Sequence, residues 1–261
     1  MHSLYFNFAC GLLVGTYGSL VGVGGGFLLV PLFLLAYGLS PEAAAGTSLA
    51  IVTMNAFSGT ISYLRQGKVD LREGCIYALG TVPSAVLGAA LTAYFSPKQF
   101  NQSFGAMLLL LSVYLVFRKR GEKEPFSGKT GFGWVSRETN GKRYQVHEPT
   151  GLGFSFLVGL LSSLMGLGGG IFHVPILSLL MRVPVHIAVA TSQFVLVFTA
   201  LTGAIAHGSK GNLVWPIVLW TGAGAVIGAQ LGAHFAKHVN ATWLLRFLAL
   251  ALFVVGLRLL F

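Results

Sequence analysis

Two stretches decide the fold: Gly18-Ser-Leu-Val-Gly-Val-Gly-Gly-Gly-Phe-Leu-Leu-Val-Pro31 and, 144 residues later, Ser162-Ser-Leu-Met-Gly-Leu-Gly-Gly-Gly-Ile-Phe-His-Val-Pro175. Over the eighteen positions 18–35 the shifted chain matches itself at nine, and the same shift lays Thr47-Ser48 on Thr191-Ser192 and Gly59 on Gly203. A repeat that keeps glycines, prolines and hydroxyls in register is more than hydrophobic coincidence.

Both stretches lie in long apolar surroundings. The chain has 261 residues, 54% of them hydrophobic and only 9% charged, against roughly 25% charged in an average soluble domain. That composition reads as an all-α polytopic membrane protein, and the basic excess of +10 then bears on orientation in the bilayer before it bears on partners. Apolar segments fall at 5–37, 43–63, 74–95, 101–117, 152–181, 187–207, 213–235 and 241–260. The expected organisation is an N-terminal membrane repeat, 1–117, a linker, 118–150, and a C-terminal membrane repeat, 151–261. Each repeat holds about four apolar segments. The N-terminus carries no Lys or Arg before its apolar run, unlike a cleavable signal peptide, and is read as the start of the first segment. Cys10 and Cys75, the only cysteines, read as small packing residues and not as a disulfide or metal site.

The stretch from Arg118 to Pro149 holds eight of the seventeen basic residues and four of the seven acidic ones. Asn140-Gly141 between two short β-prone runs suits a tight hairpin turn, so a small extramembrane β-hairpin and a flexible linker are both open readings. If every segment crosses once, thirteen basic residues lie on the linker side and Lys98, Arg182, Lys237 and Arg246 on the other. If segments 1 and 5 instead re-enter on one face, fourteen lie on the linker side and three on the other. Either count makes the linker cytoplasmic.

Segments 1 and 5 are too long for one span and too short for two. Each glycine costs a helix about 1 kcal/mol relative to Ala, so Gly22, Gly24, Gly25, Gly26 and Gly166, Gly168, Gly169, Gly170 are expected to break their helices, either as broken crossings or as re-entrant hairpins. Irregular backbone at membrane depth needs protein or a wet cavity around it. Two such breaks at equivalent repeat positions point to a transporter substrate site. The helix resuming after each break, at Phe27 and Ile171, would offer unpaired N–H groups to an anion. Pro31 and Pro175 would support the breaks. Thr47, Ser48, Thr191, Ser192 and Gln193 would line the same cavity, or bond back to their own helices. A dinucleotide fingerprint at Gly22-x-Gly24 with Glu42 downstream is rejected, because no βαβ pattern surrounds it.

Glu42, Asp70, Glu73, Glu122, Glu124, Glu138 and Glu148 all fall in loops or at segment ends. That leaves no carboxylate in the span interiors and suits a site for an anion. Among titratable groups, His173 and His234 are read as deep and His207 as lying near a span end. For His207 and His234 a neutral structural role is the favoured reading; for His173 structure and proton coupling stand level.

The duplicated Gly-x-Gly-Gly-Gly with Pro five residues on, the Thr-Ser pairs and the two halves around a polar loop resemble the sulfite exporter TauE/SafE family, also called the toluene sulfonate uptake permease family. The resemblance covers nearly the whole chain. It implies an inner-membrane, multi-pass secondary carrier, acting as an exporter, for sulfite or short organosulfonates. It carries family positions onto Gly22, Gly24, Gly25, Gly26, Pro31, Thr47 and Ser48 and onto Gly166, Gly168, Gly169, Gly170, Pro175, Thr191 and Ser192. Expected partners are the anion and the bilayer, with no nucleic acid, cofactor or metal; oligomeric state is not legible. The alternatives are an anion-binding sensor or scaffold, and a carrier of a different small anion. Enzyme chemistry is not expected, since no His-Glu-x-x-His, paired-carboxylate or Gly-x-Ser-x-Gly element occurs.

Overall fold

The computed structural model describes residues 4–117, 131–236 and 238–260. Residues 118–130, which carry part of the expected linker, and Lys237, counted above for orientation, lie outside the described residues. The chain is mostly helical, the all-α class expected of it. In chain order it forms α1 (Leu4–Val21), α2 (Gly26–Leu35), α3 (Pro41–Arg65), α4 (Leu71–Leu91), α5 (Pro97–Phe117), β1 (Trp134–Thr139), β2 (Lys142–His147), α6 (Glu148–Met165), α7 (Gly170–Pro175), α8 (Val185–Gly208), α9 (Trp215–Phe235) and α10 (Ala241–Leu260). A π-helical turn, Ile176–Leu180, continues α7. Helix starts Leu4 and Glu148, Gly26 and Gly170, Pro41 and Val185, Leu71 and Trp215, and Pro97 and Ala241 are each 144 residues apart.

Local chemistry sets several of these starts. Ser40 Oγ accepts from Ala43 N–H at 3.3 Å, with Pro41 in the first turn of α3. Asp70 Oδ1 accepts from Glu73 N–H at 3.1 Å to cap α4. Such caps satisfy N–H groups that a helix start leaves unpaired. Asn140 (φ 51°) and Gly141 (φ 70°) make the two-residue loop between β1 and β2, and Thr139 pairs with Lys142 beside it.

Among the described residues, five helices are long and apolar enough to cross a membrane: α1, α4 with its 3₁₀ extension to Tyr94, α5, α8 and α9. Leu79, Leu110, Leu13 and Phe117 are all exposed on these helices, as a lipid-facing surface requires. α3 is not among them, because Thr47, Ser48, Asn55, Ser58 and Thr60 lower its hydropathy; all five are buried. It lies at the centre, packed on α8 and α9, while α8 packs on α4. Around this pair α1 packs on α9, α4 on α6 and α5 on α10.

Small residues let the outer helices approach closely. A Cβ on Gly224, Gly228 or Gly232 of α9 would strike the carbonyl of Phe8, Leu12 or Thr16 of α1 in turn. Gly88 of α4 meets Leu160 O of α6 in the same way, and a Cβ on Gly159 would lie 2.5 Å from Thr81 O. Neither cysteine is a buried packing residue: Cys10 is half-buried, Cys75 is exposed, and both are free. Cys75 sits on the outer face of α4, which an apolar solvent makes compatible with a small thiol.

Candidate functional site

The glycine runs break the chain where expected. Gly22, Gly24 and Gly25 have φ of 83°, 73° and 87°, and Gly166, Gly168 and Gly169 have φ of 75°, 79° and 112°, a region closed to most side chains. Val23 N–H and Gly24 N–H both donate to Gly18 O, at 2.8 and 3.1 Å, and Leu167 N–H donates to Ser162 O at 2.8 Å. Residues beyond each break contact the helix before it. A Cβ on Gly25 would lie 2.5 Å from Val14 Cγ1, and one on Gly169 would lie 3.3 Å from Val158 Cγ1. Farther on, Tyr37 hydroxyl donates to Asn7 Oδ1, and His173 Nε2 lies 3.2 Å from Ser155 Oγ.

The two breaks meet each other. A Cβ on Gly26 would sit 2.7 Å from Gly166 O, and one on Gly170 would strike Gly22 O. Ser48 Oγ donates to Gly166 O at 2.8 Å, and Ser192 Oγ donates to Gly22 O at 3.0 Å. Each break is thus held by a serine from the other part of the chain. Neither α2 nor α7 has a side-chain cap at its N-terminus, so two helix starts of like partial charge lie at a common junction. Val52 Cγ1 and Leu196 Cδ2 occupy the space beside both runs, within 3.0 Å of where a Cβ on Gly24 or Gly168 would be.

The other expected residues divide by role. Thr47 Oγ1 accepts from Val214 N–H at 3.1 Å and Thr191 Oγ1 from Asp70 N–H at 3.0 Å, so these hydroxyls bind neighbouring helix starts. Gln193 Nε2 donates to Asn55 Oδ1 at 3.0 Å, and Gln193 Oε1 has no partner among the described residues. Phe27 and Ile171 are buried, with the Phe27 ring 6.2 Å from that of Tyr17. Pro31 does not end a helix: α2 runs through it to Leu35. Pro175 marks the change from α7 to the π-helical turn.

The histidines separate clearly. His173 is buried, and its Nδ1 has no partner among the described residues. Buried His207 places Nε2 3.1 Å from Ser163 O, as Tyr63 hydroxyl donates to Ser19 O at 2.8 Å; tyrosine and histidine thus fill the same structural role. His234, expected to be deep, is instead exposed near the end of α9, beside Phe235 and His238.

Sequence reasoning missed three sets of residues. Asn55 ties α3 to α1 and α9, donating to Gly15 O at 3.0 Å and Ala225 O at 3.2 Å; its signal was an amide in the middle of an apolar segment. Val52 and Leu196 carried no signal. The third set lies under the β-hairpin. Asp70 and Glu73, expected in a loop and at a segment end, are 7% and 2% exposed. Tyr144 hydroxyl donates to Asp70 Oδ2 at 2.6 Å, and Arg137 bridges Glu73 at 2.8 Å and Glu148 at 2.6 Å. Burial and the bond to Asp70 push the Tyr144 phenol above its ordinary value, so it remains a donor.

The sequence profile described as "Sulfite exporter TauE/SafE" matches residues 7–259. The chain belongs to the sulfite exporter TauE/SafE family. Among its curated relatives, the Bacillus subtilis protein named "Probable membrane transporter protein YunE" is 31% identical, over 96% of this chain and 95% of that protein. The Methanocaldococcus jannaschii protein named "Probable membrane transporter protein MJ0441" is 27% identical, over 95% and 91%. The Sinorhizobium protein named "Probable membrane transporter protein ORF9" is 27% identical, over 99% and 93%. No solved structure matches the chain. Membership in the TauE/SafE family and the apolar helices identify a multi-pass membrane protein of a transporter family.

Proposed function

We propose that this TauE/SafE member is a secondary carrier of a small sulfur-containing anion, sulfite or a short organosulfonate, bound where the two glycine breaks meet. The observation that carries the reading is the reciprocal junction: Gly26 against Gly166 O, Gly170 against Gly22 O, and Ser48 and Ser192 crossing to the opposite break. Two uncapped helix starts that face one another repel unless negative charge lies between them. The binding set is Gly22, Gly24, Gly25, Gly26 and Phe27 with Gly166, Gly168, Gly169, Gly170 and Ile171, flanked by Gln193 and His173. Thr47, Ser48, Thr191 and Ser192 hold the shape of the junction. The relatives' names support transport, and the family's name supports sulfite as a substrate and export as the direction.

The matched helix starts and crossed contacts support two halves, 1–117 and 151–261, packed as an inverted pair. Tyr37 beside Asn7 and His173 beside Ser155 favour re-entrant hairpins for α1–α2 and α6–α7. The tally for that arrangement puts fourteen basic residues on the side of the β-hairpin and three, Lys98, Lys210 and Arg258, opposite, which makes the hairpin and linker cytoplasmic. Val52 and Leu196 then form an apolar barrier that must part for the anion to cross, by movement of one half against the other.

The test is flux. Purified protein is screened by thermal shift with sulfite, sulfate, thiosulfate and short organosulfonates, and the best binder is followed into proteoliposomes. Saturable uptake that Gly26→Ala reduces at least tenfold is expected. Binding with no flux would support an anion sensor or scaffold instead.

A further inference from the structure

The polar groups under the β-hairpin continue inward toward the second glycine break. Glu73 lies in the first turn of α4, with Oε1 on Arg137 and Oε2 without a partner among the described residues. Glu73, Asp70, Tyr77, Tyr144 and Thr191 line a cavity of about 10 Å³, the room of one water. Tyr77, one turn further along α4, rests its ring on Gly151, where any Cβ would strike it. It stacks on His173 with ring centroids 6.4 Å apart. His173 Nδ1 lies 3.5 Å, and Ser162 Oγ 3.2 Å, from where a Cβ on Gly169 would be. Both atoms are buried and lack partners among the described residues.

This file exists on one side only. At the positions 144 residues away, Glu73 is replaced by Ile217, Tyr77 by Thr221, His173 by Leu29 and Ser155 by Gly11. Packing at the equivalent interface is therefore achieved without a carboxylate or an imidazole; Tyr37 and Asn7 meet there instead. The charged and titratable groups facing Glu73 are Arg137 from β1, Tyr144 from β2, Glu148 from α6, and Asp70, Arg72 and Tyr77 from its own helix and cap; the α7–α8 side of the cavity presents Leu177, Val183 and the uncharged hydroxyl residue Thr191.

We propose that Glu73 is a proton-binding site that couples proton movement to the anion junction. With the hairpin seated, Arg137 neutralises the carboxylate. When Arg137 withdraws while the hairpin still covers Glu73, a proton from water takes its place, because a bare buried carboxylate is strongly disfavoured. Return of Arg137 releases the proton. The Tyr77–His173 stack links the two states of Glu73 to the break at Gly169. The proposal rests on the carrier reading for its anion but not for its proton.

Two measurements test it on the full chain. Proteoliposomes containing a trapped pH dye receive a gradient of methanesulfonate, which carries no titrating proton of its own. Wild type is expected to move protons with the anion. Glu73→Gln should lose that proton movement at least tenfold while keeping anion exchange, and Glu138→Gln, at an exposed hairpin position, should behave as wild type. Infrared spectroscopy of purified protein supplies a readout without transport. Arg137→Gln should show a protonated-carboxyl band that disappears when Glu73→Gln is added. That band with no anion flux from wild type would support the proton site and sink the carrier reading. Anion flux without proton movement, and no such band, would overturn this proposal and leave the carrier standing.

Discussion

At the scale of single residues, the junction depends on two hydroxyls and two missing methyl groups. Ser48 and Ser192 each donate to a carbonyl inside the opposite break, and Ala at either position leaves that buried acceptor unpaired, at a cost of about 1–3 kcal/mol. Ser48→Ala and Ser192→Ala are expected to lower thermal stability in detergent by similar amounts, measured by unfolding monitored through tryptophan fluorescence. A large effect from only one would show that the two crossed bonds are not equivalent. Gly26 is a cleaner probe than Gly25 or Gly169, since both of those also have positive φ. In Gly26→Ala the added methyl meets Gly166 O at 2.7 Å without a forbidden backbone angle, so it tests the approach of the breaks alone. Val52→Ala with Leu196→Ala removes the apolar side chains beside Gly24 and Gly168, the proposed barrier. Flux of larger organosulfonates should rise relative to sulfite, and an unchanged ratio would place the barrier elsewhere.

The β-hairpin acts as one element on the face of α4. Its turn was legible in Asn140-Gly141, because two adjacent residues of that kind tolerate positive φ. Its function was not, since Arg137 and Tyr144 meet Glu73 and Asp70 across more than sixty positions of chain. The raised Tyr144 phenol also sets a pH response. Its neutral form is favoured in the folded state, so its contribution is fully present below the ordinary value of 10.0. It is lost as pH rises from there toward the higher folded value. Hydrogen-exchange protection of residues 134–147 should therefore fall above about pH 10. Tyr144→Phe should have lower protection, by about 1 kcal/mol for a lost hydrogen bond, and no such fall.

At the scale of the whole molecule, the side on which each loop lies is the property that distinguishes the two readings of the glycine breaks. With Cys10 and Cys75 replaced by Ala, single cysteines at Lys142 and Asn212 are expected to label from opposite faces of oriented vesicles, with Lys142 on the cytoplasmic face. A cysteine at Tyr5 should label with Asn212 if α1 and α2 re-enter, and with Lys142 if they form one broken crossing. The membrane class, the helix breaks and the family were legible because they rest on local quantities: apolar run length, φ angles that glycine alone tolerates, and motif spacing. The meeting of those breaks was not, because Ser48 and Gly166, or Ser192 and Gly22, are neighbours only after α3 and α8 pack at the centre. Nor was the burial of Glu73, which looks like a residue at a helix start until a distant hairpin covers it. The sequence by itself determined where the backbone must bend and which segments prefer lipid. Only the tertiary structure decided which polar groups face each other and which carboxylate lies out of water, because burial and pairing depend on the packing of segments far apart in the chain.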